Sequence, residues 1–143
     1  MNHIVNLSDI YDVTIVSNIS ENSDLLNILP KSVHRYHIPI LREISLFADI
    51  KSLLLLTRYL YVNKLMIIYS VSPKAGILSM IAAWLVGVTV RIHTFTGQVW
   101  VDKKGGMRFI LKLMDRIIAK LATVVVVDSQ SQRDYLKNQY NGT

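Results

Sequence analysis

The sequence predicts an α/β protein with a parallel sheet and helices on both faces. Short β-branched runs alternate along the chain with longer helical segments, which is typical of repeated strand–helix units. Several of the predicted strands are apolar on both faces, as expected when helices cover both sides of a parallel sheet. The length of 143 residues corresponds to one ordinary domain with a sizeable core.

The first predicted elements are two strands and a helix. DVTIVS (12–17) is a β-branched run that ends in turn-like residues. HRYHIPI (34–40) is a weaker run, whose Pro39 favours an edge position or a strand end. In residues 45–64 apolar side chains recur at helical spacing, which predicts a helix.

The rest of the chain alternates regularly between strands and helices. The predicted elements are a strand LMIIYS (65–70), a helix from Pro73 to about Val86, a strand VTVRI (88–92), a helix from about Met107 to Ala122, a strand TVVVVD (123–128) and a last helix opening at SQSQRDYL (129–136). This order predicts a Rossmann-like architecture.

Composition narrows the classes of protein. The chain has no cysteine, and its four histidines lack metal-binding spacing, so neither a disulfide scaffold nor a metal site is predicted. The first residues lack the pattern of a secretory signal, so a cytoplasmic protein is expected. The uncharged run at 75–90 has sixteen residues, whereas a membrane span needs about 20. Gly87 and the β-branched residues after it favour a helix stop and a strand, with a membrane span as the alternative.

Positive charge is concentrated in one segment. Residues 91–120 carry a net charge of +5 out of the total of +6. Basic residues spaced by four form a stripe on the predicted helix beside an apolar stripe. The basic stripe is Arg108, Lys112, Arg116 and Lys120, and the apolar stripe is Phe109, Leu113, Ile117 and Leu121. Such a helix suits anionic lipid headgroups or diphosphates, with a solvated face as the alternative. No nucleic-acid-binding motif accompanies the charge, so nucleic acid is not an expected partner.

Two segments follow strands at the edge where parallel sheets bind ligands. In SVSPKAG (70–76), Ser72 is a candidate helix cap and Pro73 suits the first helical position. Lys74 then lies in the first turn, where an anion would meet its ammonium and free backbone N–H groups. The alternative is a solvated lysine beside an ordinary cap.

The second segment is RIHTFTGQVW (91–100). A strand ending at Ile92 would place His93 and Thr94 at its carboxyl tip, followed by a loop rich in donors and glycines. Neither a dinucleotide-binding fingerprint nor a Walker P-loop is present. A lone histidine at such a position has a structural interpretation as well as a catalytic one.

IPILREISLFADIKSL (38–53), SPKAGILSMIAAWLVGVTVRIHTFTGQVW (72–100) and VVVVDSQSQRDYL (124–136) together resemble the N-terminal domain of bacterial family 4 glycosyltransferases. The similar enzymes act in capsule, O-antigen and other lipid-linked polysaccharide assembly. The resemblance implies one half of a GT-B architecture, in which two Rossmann-like domains face a cleft. The N-terminal domain handles the acceptor, and the C-terminal domain binds most of the nucleotide-sugar.

The resemblance also implies roles for particular residues. His93 would be the catalytic residue, lying against the transferred sugar while the diphosphate leaves. The implied substrate-binding residues are Lys74, Thr94, Thr96 and Gly97. The concentration of positive charge, independently of the resemblance, predicts contacts with the membrane or a diphosphate for Lys103, Lys104, Arg108, Lys112, Arg116 and Lys120.

The implied reaction is retaining and metal-independent. Its donor is a nucleotide-sugar, and its acceptor is a polyprenyl-diphosphate-linked glycan at the inner face of the cytoplasmic membrane. Residues 1–143 are expected to form a single domain, truncated at both ends relative to the family, without its first strand and glycine loop. We expect the chain alone to be inactive. The alternative is a non-catalytic α/β module that binds anionic membrane or a separate catalytic chain.

Overall fold

The computed structural model describes residues 6–18, 30–41, 45–97 and 100–128, and positions 130, 133, 134 and 137. These residues group into two compact units, residues 1–52 and residues 53–143. Every strand pair among the described residues is parallel. The predicted α/β class with parallel strands is therefore confirmed.

The first unit contains a pair of short strands. Strand β1, Thr14–Ser17, pairs in parallel with strand β2, His34–His37. Both lie within the predicted segments, and Pro39 follows β2 as expected for a strand end. Helix α1, Leu46–Asn63, begins in this unit and matches the predicted helix. The Ser52 hydroxyl of α1 donates a hydrogen bond to the Pro39 carbonyl over 3.1 Å.

The second unit contains a three-stranded parallel sheet, and helices connect its strands along the chain. Its elements in chain order are β3 (Ile67–Ser70), α2 (Pro73–Val86), β4 (Val90–Phe95), α3 (Gly105–Leu121) and β5 (Val124–Val127). Strand β4 lies in the middle, with β3 on one side and β5 on the other. This order brings the ends of β3 and β4 to one edge of the sheet.

The predicted end of β4 at Ile92 is wrong, because the strand continues to Phe95. The sequence HTF is polar enough to suggest a strand tip, but β4 has partners on both sides. His93 lies opposite Ser70 of β3 and opposite Val125 of β5, and Phe95 lies opposite Val127. His93 pairs with both neighbouring strands, whereas Phe95 pairs with β5 alone, and this pairing with β5 extends the strand beyond its apolar part.

The core of the second unit lies on one face of this sheet. Met80 of α2, Phe95 of β4 and Ile118 of α3 are buried and form its centre. Both helices therefore contribute to the core on the sheet face that carries Phe95. His93 shares this face, because side chains two residues apart on a strand point the same way.

Arg91 ties the start of β4 to the end of α3. Its Nε donates to the Leu121 carbonyl and its Nη1 to the Val88 carbonyl, each over 2.6 Å. Leu121 is the last residue of α3, so the guanidinium satisfies a helix-end carbonyl and complements the negative end of the helix dipole. The guanidinium of Arg91 thus stabilises the fold by holding the start of β4 against the end of α3.

The long uncharged run at 75–90 divides between α2 and the start of β4. Gly87 has φ of 76°, in the left-handed region that suits glycine, and its N–H bonds to the carbonyls of Ala83 and Trp84. The predicted helix stop is therefore confirmed. Over the described residues, no helix combines enough length and apolar character to cross a membrane.

The predicted last helix at 129–136 lies mostly outside the described residues. The described positions in this region, 130, 133, 134 and 137, are helical. The prediction of one domain that is truncated relative to the family stays a prediction.

Candidate functional site

The candidate site lies towards the carboxyl ends of β3 and β4. Two residues separate β3 from helix α2, with Ser72 at the N-cap position and Pro73 as the first helical residue. These positions are as predicted, although the Ser72 side chain makes no capping hydrogen bond. Lys74 is half-buried in the first turn. The first turn of α2 therefore lies at the sheet edge where ligands bind in such folds.

His93 is held inside the unit, two residues before the end of β4. Its side chain is only 1% exposed. Its Nδ1 lies 2.8 Å from the Ser70 Oγ, a hydrogen bond between paired residues of neighbouring strands. Its ring meets the Phe95 ring edge-on, with the centroids 4.6 Å apart and the planes at 78°. These contacts hold the imidazole in one orientation.

Gly76 of α2 provides the space for the imidazole. A Cβ atom at this position would lie 2.5 Å from His93 Cε1 and 2.8 Å from its Nδ1, and 3.2 Å from the Ile118 Cδ1. Such distances are too short for any side chain larger than hydrogen. The helix can approach the strand this closely only because residue 76 is glycine.

The other ring nitrogen of His93 has no hydrogen-bond partner among the described residues, although it is fully buried. Buried polar atoms in native proteins are normally paired, so an unpaired one at a sheet edge indicates strain, a water or a ligand. Burial lowers the pKa of His93 from 6.5 to about 4. The imidazole is therefore neutral at pH 7 and can offer a hydrogen bond without carrying a charge.

Thr94, expected beside His93, points to the opposite face of the sheet. Its Oγ1 lies 2.9 Å from the Tyr69 hydroxyl, and the two form a hydrogen bond there. The two residues follow each other within a continuous strand, so their side chains must alternate. The predicted tip at which they would act together does not exist.

Thr96 and Gly97 come directly after β4. Thr96 is exposed, and Gly97 is half-buried with φ of 125°, a conformation that L side chains rarely adopt. Because β3 and β4 are parallel neighbours, these residues share the carboxyl edge of the sheet with the first turn of α2. The structure thus places Lys74, Thr96 and Gly97 at one edge, with His93 buried behind it.

Trp100 anchors the end of the loop that follows β4 to helix α3. Its indole Nε1 donates a hydrogen bond over 2.8 Å to the Asp115 Oδ2, and both residues are buried. Burial raises the pKa of Asp115, and the hydrogen bond from Trp100 opposes that shift. Lys112 Nζ lies 4.4 Å from the ring centroid, and Arg108 Cζ lies 5.5 Å from it.

The basic residues predicted to contact a membrane or diphosphate therefore differ in their surroundings. Arg108 and Lys112 lie against Trp100, and the others are Lys103, Lys104, Arg116 and Lys120, all exposed. The adjacent apolar stripe is not fully buried: Phe109 is 67% exposed and Leu113 is 45% exposed. The outer surface of α3 thus carries basic and large apolar side chains together.

A metal site is not evident in the described part of the chain, where no three His, Asp or Glu side chains come together as ligands. The polar groups at the sheet edge are instead hydroxyls, backbone N–H groups, an imidazole and an ammonium. These groups are suited to binding oxygen atoms of sugars and phosphates.

Replacement of Gly76 by alanine is expected to destabilise the chain by about 1–2 kcal/mol. Alanine gains about 1 kcal/mol of helix propensity, but the new methyl group collides with the His93 ring, and overpacking costs about 1–3 kcal/mol. The displaced ring also loses its hydrogen bond to Ser70.

Denaturant unfolding measures the effect of Gly76→Ala, with Gly106→Ala in α3 as the matched control. Its new Cβ meets nothing within 4 Å, so that variant should be slightly stabilised. A Gly76→Ala variant as stable as the control would contradict the close packing.

Several residues that build the site were not predicted. Ser70 ends its strand as an isolated polar residue after an apolar run, and Gly76 interrupts a helical pattern where alanine would be the stronger helix former. Both signals were available in the sequence. The pairing of Trp100 with Asp115 had no such signal, because fifteen residues separate them.

These features define a parallel α/β protein with a polar site at the carboxyl edge of its sheet. No protein family model matches the chain. It is 38% identical over 94 residues to the capsular polysaccharide biosynthesis glycosyltransferase CapM of Staphylococcus aureus, an alignment covering 66% of this chain and 25% of CapM. It is 31% identical over 133 residues to the UDP-Gal:alpha-D-GlcNAc-diphosphoundecaprenol alpha-1,3-galactosyltransferase of Escherichia coli, covering 91% of this chain and 34% of that enzyme.

The predicted resemblance to glycosyltransferases of the capsule and O-antigen group is thereby confirmed. The alignments span only about a quarter to a third of the length of these two relatives. The chain is therefore related to a part of these enzymes, and the similarity covers most of its own length.

Proposed function

We propose that this chain forms the acceptor-side part of a retaining glycosyltransferase of the GT-B type. It would help to move a sugar from a nucleotide-sugar to a lipid-linked glycan during the synthesis of a surface polysaccharide. A second, donor-binding domain would complete the cleft, and the proposed reaction uses no resident metal ion. The similarity over 91% of the chain to an enzyme named for a diphosphoundecaprenol-linked acceptor carries this proposal.

The geometry of the sheet edge supports particular roles within this proposal. Lys74, Thr96 and Gly97 lie where an anionic or hydroxylated substrate would meet an ammonium, a hydroxyl and backbone N–H groups. His93 would direct its second ring nitrogen towards an oxygen of the transferred sugar as charge develops. Because His93 is buried, this role requires the substrate to reach Nε2 from the carboxyl edge of the sheet. Thr94 has no part in this arrangement, because it faces the other side of the sheet.

A reconstitution assay tests the proposed function. Residues 1–143 alone should transfer no measurable sugar from any nucleotide-sugar to a diphosphoundecaprenol-linked acceptor, because donor positioning and leaving-group stabilisation are each worth several kcal/mol. Addition of a matching donor-binding domain in trans should restore transfer. Turnover by the chain alone would contradict the acceptor-side role, and so would a failure of every matching domain to restore it.

A second candidate function is binding of an anionic membrane through α3, with or without catalysis. The exposed Phe109 and Leu113 support it, because apolar side chains beside basic ones suit the boundary between headgroups and acyl chains. Arg116 and Lys120 add exposed positive charge on the same helix. In this candidate function the chain would act at the inner face of the cytoplasmic membrane.

The double variant Arg116→Glu/Lys120→Glu is expected to bind anionic vesicles more than tenfold more weakly than the wild type. Each basic residue near such a surface contributes about 1 kcal/mol, and reversal adds repulsion. These two residues are chosen because Arg108 and Lys112, the other members of the basic stripe, lie over the Trp100 ring. Vesicle co-sedimentation measures the effect, with Lys51→Glu/Arg58→Glu on α1 as the control, and salt should weaken wild-type binding. Equal binding of the wild type to neutral and anionic vesicles would contradict this function.

A further inference from the structure

The hydrogen bond between Ser70 and His93 bears on which ring nitrogen carries the proton. Among the described residues, His93 Nδ1 is the only hydrogen-bond partner of the Ser70 hydroxyl. Both side chains are buried, and they lie on paired residues of neighbouring strands. Burial keeps bulk water from competing for this hydrogen bond, so the Ser70 hydroxyl and His93 Nδ1 depend on each other as partners.

Two arrangements are compatible with the distance of 2.8 Å. If Nδ1 carries the proton and donates to Ser70, the serine proton has no acceptor and the His93 Nε2 lone pair has no donor. If Ser70 donates to Nδ1, the serine proton is used and only the Nε2–H proton lacks an acceptor. The second arrangement leaves fewer polar groups unsatisfied, and each unsatisfied buried group costs about 1–3 kcal/mol.

We infer that Ser70 is a positioning residue, which donates its proton to Nδ1 and thereby holds His93 as the neutral tautomer with its proton on Nε2. His93 then acts as a hydrogen-bond donor to a substrate oxygen and not as a base. This inference rests on the proposed function for the role of the donated hydrogen bond. The tautomer itself follows from the contacts within the chain.

The packing around the ring supports this assignment. Gly76 presses against the Cε1 and Nδ1 side, and the edge-on contact with Phe95 restrains the plane of the ring. These contacts therefore disfavour a rotation of the imidazole that would take Nδ1 away from the Ser70 hydroxyl. Burial also lowers the pKa of His93 to about 4, which keeps the ring neutral at pH 7.

Nitrogen NMR of the chain labelled with ¹⁵N-histidine tests the inference directly. At pH 7 the His93 signals, identified by their loss in His93→Gln, should show an unprotonated Nδ1 and a protonated Nε2. In Ser70→Ala both nitrogen shifts should move towards those of a mixture of tautomers, and Ser70→Thr should restore the wild-type pattern. A wild-type spectrum with the proton on Nδ1 would overturn the inference even if Ser70→Ala does not fold. Wild-type nitrogen shifts in a folded Ser70→Ala variant would also overturn it.

The reconstituted enzyme separates this inference from the proposed function. Ser70→Ala should lower kcat by about tenfold or more with a smaller change in KM, as expected for loss of a group that orients a functional histidine, and Ser70→Thr should keep most of the activity. An equal loss of kcat in Ser70→Thr and Ser70→Ala would overturn the positioning role. Normal turnover of His93→Ala would instead refute the catalytic role of the histidine, whatever the tautomer in the NMR spectrum.

Discussion

In the reconstituted enzyme, His93→Ala is expected to reduce turnover by about 100-fold or more. The substitution removes one hydrogen-bond donor aimed at a position where charge develops, and loss of such a donor costs about 10²–10³ in kcat. The effect should fall on kcat more than on KM, because the interaction strengthens as the sugar separates from the diphosphate. Initial rates at saturating nucleotide-sugar measure it.

Removal of a buried ring also leaves a cavity, so the folded fraction must be measured beside the rate. Unfolding curves for His93→Ala give that fraction, and rates are compared for folded protein only. His37→Ala is the matched control, because His37 is an exposed histidine at the end of β2 in the first unit. Turnover near the wild-type rate in a folded His93→Ala variant would show that this histidine only supports the fold.

Acidification from pH 7 to pH 4 is expected to destabilise the chain by up to about 3 kcal/mol through His93 alone. Burial lowers the folded-state pKa of His93 from 6.5 to about 4. Between pH 6.5 and about pH 4, His93 is protonated in the unfolded state but stays neutral in the folded state. Stability is therefore lost as the pH falls through this window, and no further loss from His93 occurs below about pH 4. Urea unfolding at a series of pH values measures the slope.

Two variants isolate this contribution. His93→Gln should remove the pH-dependent loss, because glutamine does not titrate in this range. Asp115 has its pKa raised by burial, so it contributes in the opposite sense, with stability falling as the pH rises through that raised value. Asp115→Asn should remove that opposing slope while keeping an acceptor for the indole of Trp100. An unchanged slope in His93→Gln would show that His93 is protonated as easily in the folded chain as in the unfolded chain.

The sequence predicted the position of the candidate site in the fold better than the orientation of its side chains. Lys74, Thr96 and Gly97 lie at the predicted sheet edge because each follows the end of a strand, a position that depends only on the order of elements along the chain. Thr94 is predicted to follow the strand end together with His93, but both residues lie within β4, where their side chains alternate. The extent of β4 depends on pairing with β5, about thirty residues further along the chain.

By itself the sequence determined the parallel α/β class, the bounds of most elements to within a few residues, the helix stop at Gly87 and the basic character of α3. These are local properties, because propensity, hydrophobic period and charge act over a few residues. Only the tertiary structure decided that His93 is buried against Gly76, that Ser70 bonds to its Nδ1, and that Arg91 and Trp100 are held by α3. Each of these depends on which groups come into contact when distant segments pack, and no local pattern specifies that contact.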